Sequence, residues 1–93
     1  MQLELLTRQR CPLCDEGAAT TRRVATLTGT RLRVVDVDTD PELAVDYGLR
    51  VPVVRDGGGK VLAEGQILAW PLLVAMLRAR VGRASETPPK KSH

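Results

Sequence analysis

Residues 3–37, LELLTRQRCPLCDEGAATTRRVATLTGTRLRVVDV, decide the fold of this 93-residue chain. The leucines at the start predict a short buried strand over residues 2–7. From residue 12 to about residue 28 the apolar and small residues take the spacing of a helix, and LRVVDV at residues 32–37 is rich in β-branched residues and predicts a second strand. Because a β-α-β crossover is right-handed and leaves its two strands parallel, the stretch predicts an α/β protein.

The helix of this unit has recognisable ends. Pro12 suits the first helical position, where its missing N–H leaves no helical hydrogen bond unmade, and Gly29 suits the position just past the end. The spacing predicts an inward face made of Leu13, Gly17, Thr20, Val24 and Leu27. Since Gly17 has no side chain, we expect the helix to approach the sheet closely at that residue.

The middle of the chain predicts a short helix and a hairpin. Residues 40–42 (DPE) have the N-cap and first-turn chemistry of a helix that Gly48 would end. Residues 52–55 and 60–63 flank the glycine-rich segment 56–59 (DGGG), which predicts a turn between two antiparallel strands.

A last helix and a tail complete the predicted domain. Pro71 cannot lie inside a helix, so we expect the helix to begin there, with Trp70 just before it as a large core residue. Its predicted inward face is Leu73, Met76, Leu77 and Arg80. Residues 83–93 have no apolar periodicity and contain two adjacent prolines, which predicts a domain over residues 1–82 and a disordered tail after it.

Composition and charge argue against several function classes. Trp70 and Tyr47 are the only aromatic residues, whereas proteins that bind single-stranded nucleic acid stack bases on several rings. The net charge of +3 falls to +1 without residues 83–93, which carry three basic residues and one acidic residue, and +1 is too little to track a phosphate backbone. The early apolar run is too short for a signal peptide or a membrane span, so we expect a cytoplasmic protein that contacts neither nucleic acid nor membrane.

Cys11-Pro12-Leu13-Cys14 lies where the first strand passes into the first helix. At that place Cys11 would be the helix N-cap, where unpaired backbone N–H groups and the positive end of the helix dipole stabilise a thiolate. The pKa of Cys11 should therefore fall below the value of roughly 8.5 of a free thiol. Cys14, one turn further along, would be close enough to attack a mixed disulfide on Cys11. We expect Cys11 to be the exposed nucleophile and Cys14 the buried resolving thiol.

Other interpretations of the cysteine pair stay open at this point. A zinc site needs four ligands, and beyond the pair the chain offers only His93, so we assign no metal ligand. A cluster shared between two chains could use Cys11 from each chain. An inert pair is the remaining alternative, although a CxxC beside a β-α-β unit is a typical redox motif.

The order strand, CPLC, helix, strand, helix, Val51-Pro52, hairpin and helix resembles the glutaredoxins and the small glutaredoxin-like proteins of the thioredoxin superfamily. The resemblance covers residues 2 to about 80, and residues 14–16 (CDE), residues 36–43 (DVDTDPEL) and Trp70 are most similar to the glutaredoxin-like branch. It implies a thioredoxin-like, glutaredoxin-type α/β fold. In this fold a four-stranded mixed sheet is flanked by helices, and the elements follow along the chain in the order β-α-β-α-β-β-α.

The resemblance also implies roles for residues outside the cysteine pair. Val51-Pro52 would be a cis peptide packed against the active disulfide, with the Val51 backbone paired to an extended thiol substrate; an ordinary trans proline is the alternative. Arg8, three positions before Cys11, would hold a carboxylate of glutathione or of a peptide, and a solvated loop arginine is the alternative. The expected substrate-binding set is Arg8, Pro12, Leu13, Val51, Pro52 and Gly65.

Three departures from the family pattern bear on glutathione. Arg50 stands where the family usually has threonine, and Leu13 replaces a tyrosine. Residues 63–67 (AEGQI) keep one glycine, Gly65, but lack the acidic residue that binds the γ-glutamyl end of the tripeptide. Recognition of glutathione is therefore left open.

The residues and the resemblance together predict a small thiol–disulfide oxidoreductase that reduces protein disulfides or glutathione mixed disulfides. Two alternatives are a redox-sensitive protein-binding module with the same fold and an iron–sulfur carrier. We expect a monomer with no bound cofactor, for which glutathione could serve as the reductant.

Overall fold

A computed structural model describes residues 2–85 of the chain. The strands are β1 Gln2–Thr7, β2 Arg31–Asp36, β3 Val53–Asp56 and β4 Val61–Glu64. The α-helices are α1 Pro12–Thr28, α2 Pro41–Tyr47 and α3 Ala69–Ser85, and a turn of 3₁₀ helix at Val37–Thr39 joins β2 to α2. The predicted order β-α-β-α-β-β-α is thereby confirmed.

The residues that flank α1 and α2 terminate both helices as predicted. Cys11 is the N-cap of α1, Pro12 is its first residue, and Gly29 ends it in the left-handed conformation at φ 64°. Asp40 caps α2, since its side chain accepts a hydrogen bond of 2.9 Å from the N–H of Glu42. The backbone N–H of Gly48 closes α2 on the carbonyl oxygen of Ala44.

Three of the segments that connect the strands to other elements lie at the same end of the sheet. Within residues 2–85 the strand order is β2-β1-β3-β4. β1 and β2 are parallel, whereas β3 runs antiparallel to β1 with Leu6 opposite Val53. The end of β1, the end of β2 and the start of β3 therefore lie side by side. The CPLC turn and the Val51-Pro52 loop, which follow β1 and precede β3, meet there.

Successive side chains of β1 pack into two core layers, one on each face of the sheet. Leu5 and Leu6 are both fully buried but point to opposite faces of the sheet. On the face covered by α1 and α3 the buried cluster is Leu3, Leu5, Val24, Val54, Ile67, Leu72 and Met76. On the other face Leu6, Val37 and Val53 form a smaller cluster, against which Leu43 and Tyr47 of α2 pack. The described sheet thus lies between two helical layers.

The strands differ from the predicted ranges by one residue. β2 begins and ends one residue earlier, because Val37 already belongs to the 3₁₀ turn. β3 and β4 each begin one residue later than predicted. The hairpin between them is held by Asp56, whose buried carboxylate accepts hydrogen bonds of 2.8 Å from the N–H of Gly58 and 3.0 Å from that of Lys60.

The buried face of α1 agrees with the prediction at Gly17 and Val24 but not at the other predicted residues. Leu13 is 46% exposed and Leu27 is 75% exposed. The buried residues of α1 are Cys14, Gly17, Thr21, Val24 and Ala25. The reason lies at Gly17, where a β-carbon would come within 3.1 Å of Ile67 and 3.2 Å of Pro52. Around Gly17 the helix presents small residues, Cys14 and Thr21, because a larger side chain would not allow this approach.

α3 begins earlier than predicted, and Trp70 is not a core residue. The helix begins at Ala69, which makes Pro71 its third residue. An N–H at that position has no helical partner, so the proline does not prevent the earlier start. Trp70 lies in the first turn and is 74% exposed. Of the predicted inward face, Met76 is buried and Leu73 is half-buried against the core, whereas Leu77 and Arg80 are exposed. Leu72 and Ala79 are buried with Met76.

α3 also extends past the predicted end of the domain at residue 82, since the helix continues to Ser85. The rest of the predicted tail, residues 86–93 with His93, lies outside the described residues. Among the residues described, no helix combines the length and the apolar character needed to cross a membrane.

Candidate active site

The cysteine pair occupies the N-terminus of α1 and is closed as a Cys11–Cys14 disulfide with the Cα atoms 5.1 Å apart. The Sγ atom of Cys11 accepts a hydrogen bond of 3.0 Å from the backbone N–H of Cys14. Cys14 is 2% exposed, whereas Cys11 is half-buried. Because the helix N-terminus carries a partial positive charge, the outer sulfur is placed where a thiolate is stabilised.

Pro52 packs on α1 one turn beyond Cys14. The Val51–Pro52 peptide bond is cis, and Pro52 is fully buried. A β-carbon at Gly17 would lie 3.2 Å from Cγ of Pro52, so the helix and the proline are in direct contact only because residue 17 is glycine. Gly65, in the left-handed conformation at φ 76°, donates its N–H to the carbonyl oxygen of Pro52 at 2.9 Å. The predicted residues Val51, Pro52 and Gly65 therefore lie together beside the start of α1.

One of the two backbone hydrogen-bonding groups of Val51 already has a partner within the chain. Its N–H donates to the carbonyl oxygen of Tyr47 at 3.1 Å, and the N–H of Arg50 donates to the same oxygen at 2.8 Å. The carbonyl oxygen of Val51 accepts no hydrogen bond from a described residue. An extended substrate could therefore pair with this carbonyl but not with the N–H.

Arg8 forms hydrogen bonds to two other segments of the chain. Its Nε and Nη2 atoms donate to the carboxylate of Asp38 at 2.9 to 3.3 Å, and its Nη1 atom donates to the carbonyl oxygen of Gly48 at 3.0 Å. The hydrogen bond from Arg8 holds the pKa of the Asp38 carboxyl below its ordinary value. Arg8 thus joins the β1–α1 connection to the segments that follow β2 and α2.

Arg50 forms a second ion pair. Its Nε and Nη2 atoms donate to the two carboxylate oxygens of Glu64 at 3.2 and 2.7 Å. This contact lowers the pKa of Glu64. The guanidinium also lies 5.0 Å from the ring centre of Tyr47, and that of Arg55 lies 5.4 Å from the same ring. The ion pair between Arg50 and Glu64 connects the Val51-Pro52 loop to the end of β4.

Arg10 differs from both of these arginines. It directly precedes Cys11, its side chain is exposed, and it makes no hydrogen bond or ion pair with a described residue. Its backbone has φ 58°, in the left-handed region that residues other than glycine seldom adopt. Pro12 and Leu13 are likewise exposed on the other side of Cys11. The rim of the cysteine pair therefore presents one unpaired cation and an apolar surface.

The sequence predicted most residues of this site, but not Asp38, Glu64 or Arg10. Asp38 and Glu64 determine what Arg8 and Arg50 can bind, yet neither was a candidate. For Asp38 a signal existed, because acidic and basic residues that follow neighbouring parallel strands arrive at the same end of a sheet. The backbone conformation of Arg10 has no signal in the sequence. Within residues 2–85 no cluster of three or more His, Cys, Asp or Glu side chains is placed to hold a metal ion.

Comparisons with known proteins agree on the fold. A family model described as "Glutaredoxin-like domain (DUF836)" matches residues 2–82. The X-ray structure of target protein XcR50 from X. campestris is 35% identical, with a TM-score of 0.65 over 83% of this chain and 96% of that chain. Thioredoxin 1 of Thermosipho africanus is 17% identical, with a TM-score of 0.59 over 94% of this chain and 100% of its own, which shows a thioredoxin fold. No curated protein matches the sequence.

Proposed function

Because the chain belongs to the glutaredoxin-like domain family over residues 2–82, we propose that it is a small thiol–disulfide oxidoreductase. Its substrates are protein disulfides or glutathione mixed disulfides, which it reduces through Cys11 and Cys14. The observation that carries the proposal is the cysteine pair itself, closed at the N-terminus of α1 with Cys11 half-buried and Cys14 only 2% exposed.

The reaction proceeds in two exchanges. The Cys11 thiolate attacks one sulfur of the substrate disulfide, and the other sulfur leaves as a thiolate that takes up a proton. Cys14 then loses its proton and attacks Cys11 in the mixed disulfide, which releases the second substrate thiol. The substrate gains two electrons and two protons, and the enzyme is left with the Cys11–Cys14 disulfide. Glutathione could return the electrons.

The surroundings of the pair support binding of an extended substrate. The free carbonyl oxygen of Val51 can accept one hydrogen bond from a substrate backbone N–H. Exposed Leu13 and Pro12 provide apolar contact beside the reacting sulfur. Gly65 acts indirectly, since its N–H fixes the carbonyl of Pro52 and thereby the loop that carries Val51.

Serine variants of the two cysteines test the mechanism. With pre-reduced protein and a peptide carrying a glutathione mixed disulfide, Cys11→Ser should abolish reduction, because the attacking sulfur is gone. Cys14→Ser should accumulate a covalent adduct on Cys11 that mass spectrometry detects, because no resolving thiol remains. Ala19→Ser, on the exposed side of α1, is the matched control and should behave as the wild type.

Full dithiol activity in Cys11→Ser would refute the mechanism. A stable complex with a partner protein that survives Cys11→Ser, without reduction of any disulfide, would instead indicate a binding module. A brown dimeric protein that loses its colour in Cys11→Ser would indicate a cluster carrier.

A further inference from the structure

Three arginines lie in the segments that carry the cysteine pair and the Val51-Pro52 loop, and two of them are committed to internal ion pairs. Arg8 donates to Asp38 and to the carbonyl oxygen of Gly48, while Arg50 donates to Glu64 through two nitrogens. A carboxylate brought by a substrate would have to displace an existing carboxylate at either arginine. Neither one is poised to take up a new anion.

The partners of Arg8 show what it does instead. Arg8 follows β1 in the connection that leads to Cys11, Asp38 follows β2, and Gly48 ends α2 just before the loop that carries Val51. One guanidinium therefore ties together the two backbone segments that form the site. A β-carbon on Gly48 would lie 3.4 Å from Nη1 of Arg8, so the side chain is packed closely against this backbone. Arg8 is a positioning residue.

Arg10 has the opposite character. Its exposed side chain has no described partner, and it is covalently next to Cys11. Its left-handed backbone conformation is rare for a residue with a side chain, and such conformations cluster at active sites and ligand clamps. A planar guanidinium binds carboxylates through two parallel hydrogen bonds. A small substrate thiol that bears a carboxylate brings that group to the surface around Cys11 when its sulfur meets Cys11.

We infer that Arg10, and not Arg8, binds the carboxylate of the substrate thiol, and that Arg8 holds the CPLC turn against the Val51-Pro52 loop. The inference rests on the proposed function and names a substrate class for it. That class is mixed disulfides in which one thiol belongs to a small molecule that carries a free carboxylate, as glutathione does. The carboxylate takes no part in the exchange of sulfur bonds described above.

Two substrates that differ in this carboxylate test the inference. The same peptide is prepared as a mixed disulfide with glutathione and as one with 2-mercaptoethanol, and each is reduced by an excess of pre-reduced protein. Arg10→Gln should lower the ratio of the glutathione rate to the 2-mercaptoethanol rate by about two- to five-fold, the range expected for one exposed ion pair. Arg10→Lys should recover most of the loss, and added salt should weaken the preference of the wild type.

Arg8→Gln should lower both rates by the same factor, and Asp38→Asn should reproduce that pattern, because each variant loosens the site for any substrate. Arg23→Gln, an exposed arginine of α1, is the matched control. The ratio of the two rates cancels any loss of folded protein in a variant. A ratio changed by Arg8→Gln, or left unchanged by Arg10→Gln, would overturn the inference.

The test separates this inference from the proposed function. If the wild type reduces neither substrate, the proposed oxidoreductase activity fails. If it reduces both and Arg10→Gln leaves their ratio unchanged, only the assignment of Arg10 fails.

Discussion

Arg8 and Asp38 show how a single ion pair can shape the site. Both side chains are more than one-third exposed, so their attraction alone adds little to the stability of the fold. Their importance is geometric, because the same guanidinium also holds the carbonyl oxygen of Gly48. At the residue scale, the charges around Cys11 act mainly through the backbone segments that they connect.

The Arg8–Asp38 pair should make stability depend on pH in the acid range. Arg8 lowers the pKa of Asp38 below its ordinary value of 3.8, so the folded state binds this proton less readily than the unfolded chain. The stabilising contribution is therefore complete above pH 3.8 and is lost as the pH falls through the lowered pKa. Urea denaturation at a series of pH values should show a steeper acid loss for the wild type than for Asp38→Asn.

Glu16→Gln is the control for this measurement, since the exposed Glu16 has no described ion pair. Its acid profile should follow that of the wild type. If Asp38→Asn also follows the wild type, the pair does not form in solution.

α1 and α3 show which features of an element can be read from the sequence and which cannot. The N-cap at Cys11 and the stop at Gly29 depend on local backbone chemistry, so they were predicted correctly. The inward face of α3 was predicted only in part, because residues 72–77 are all apolar and any face of the helix satisfies the pattern. For α1 the contact between Pro52 and Gly17 rotates the small residues inward. Such a contact between residues distant in the chain leaves no periodic signal.

Gly17→Ala tests the close approach of α1 to the Pro52 loop. Alanine is the better helix former by about 1 kcal/mol, but its methyl group would press on Ile67 and Pro52, and overpacking costs about 1 to 3 kcal/mol. We expect chemical denaturation to show a net loss of stability and the reduction rate to fall as Pro52 moves. Thr26→Ala, at an exposed position of the same helix, is the control and should not be destabilised. A gain in stability for Gly17→Ala would show that the helix is not tightly packed there.

Gly48→Ala tests the junction between α2 and the Val51-Pro52 loop. A β-carbon at this residue would clash with the carbonyl oxygen of Ala44, which is backbone and cannot rotate away. We expect chemical denaturation to show a loss of about 1 to 3 kcal/mol. Leu49→Ala is the control, because Leu49 is 99% exposed and its truncation should change stability by less than about 0.5 kcal/mol. Equal stabilities of the two variants would contradict this packing.

At the scale of the whole molecule, one groove lies far from the cysteine pair. A groove of about 630 Å³ lies against the C-terminal end of α1, lined by Thr28, Gly29, Thr30, Trp70, Leu73, Val74, Met76, Leu77 and Arg80. Since α1 has 17 residues, its C-terminal end lies about 25 Å from Cys11, so this groove is remote from the cysteine pair. Trp70 belongs to this groove, which explains how the largest side chain of the chain can lie outside the core.

Truncation of two neighbouring residues of α3 checks this arrangement. Leu72 is fully buried between the helix and the sheet, so Leu72→Ala should cost about 2 to 5 kcal/mol in chemical denaturation. Trp70→Ala should change stability by less than about 0.5 kcal/mol, because that side chain is 74% exposed. A loss for Trp70→Ala as large as that for Leu72→Ala would place the tryptophan in the core after all.

The central claim is that Cys11 and Cys14 act as a reversible redox pair. The measurement that tests it most directly is equilibration of the protein in a series of glutathione redox buffers, followed by acid quenching and mass analysis. The account predicts a single transition between the dithiol and a form that has lost two hydrogens, with no such transition in Cys11→Ser. A pair that stays reduced, or that stays oxidised, across the whole range of buffers would contradict it.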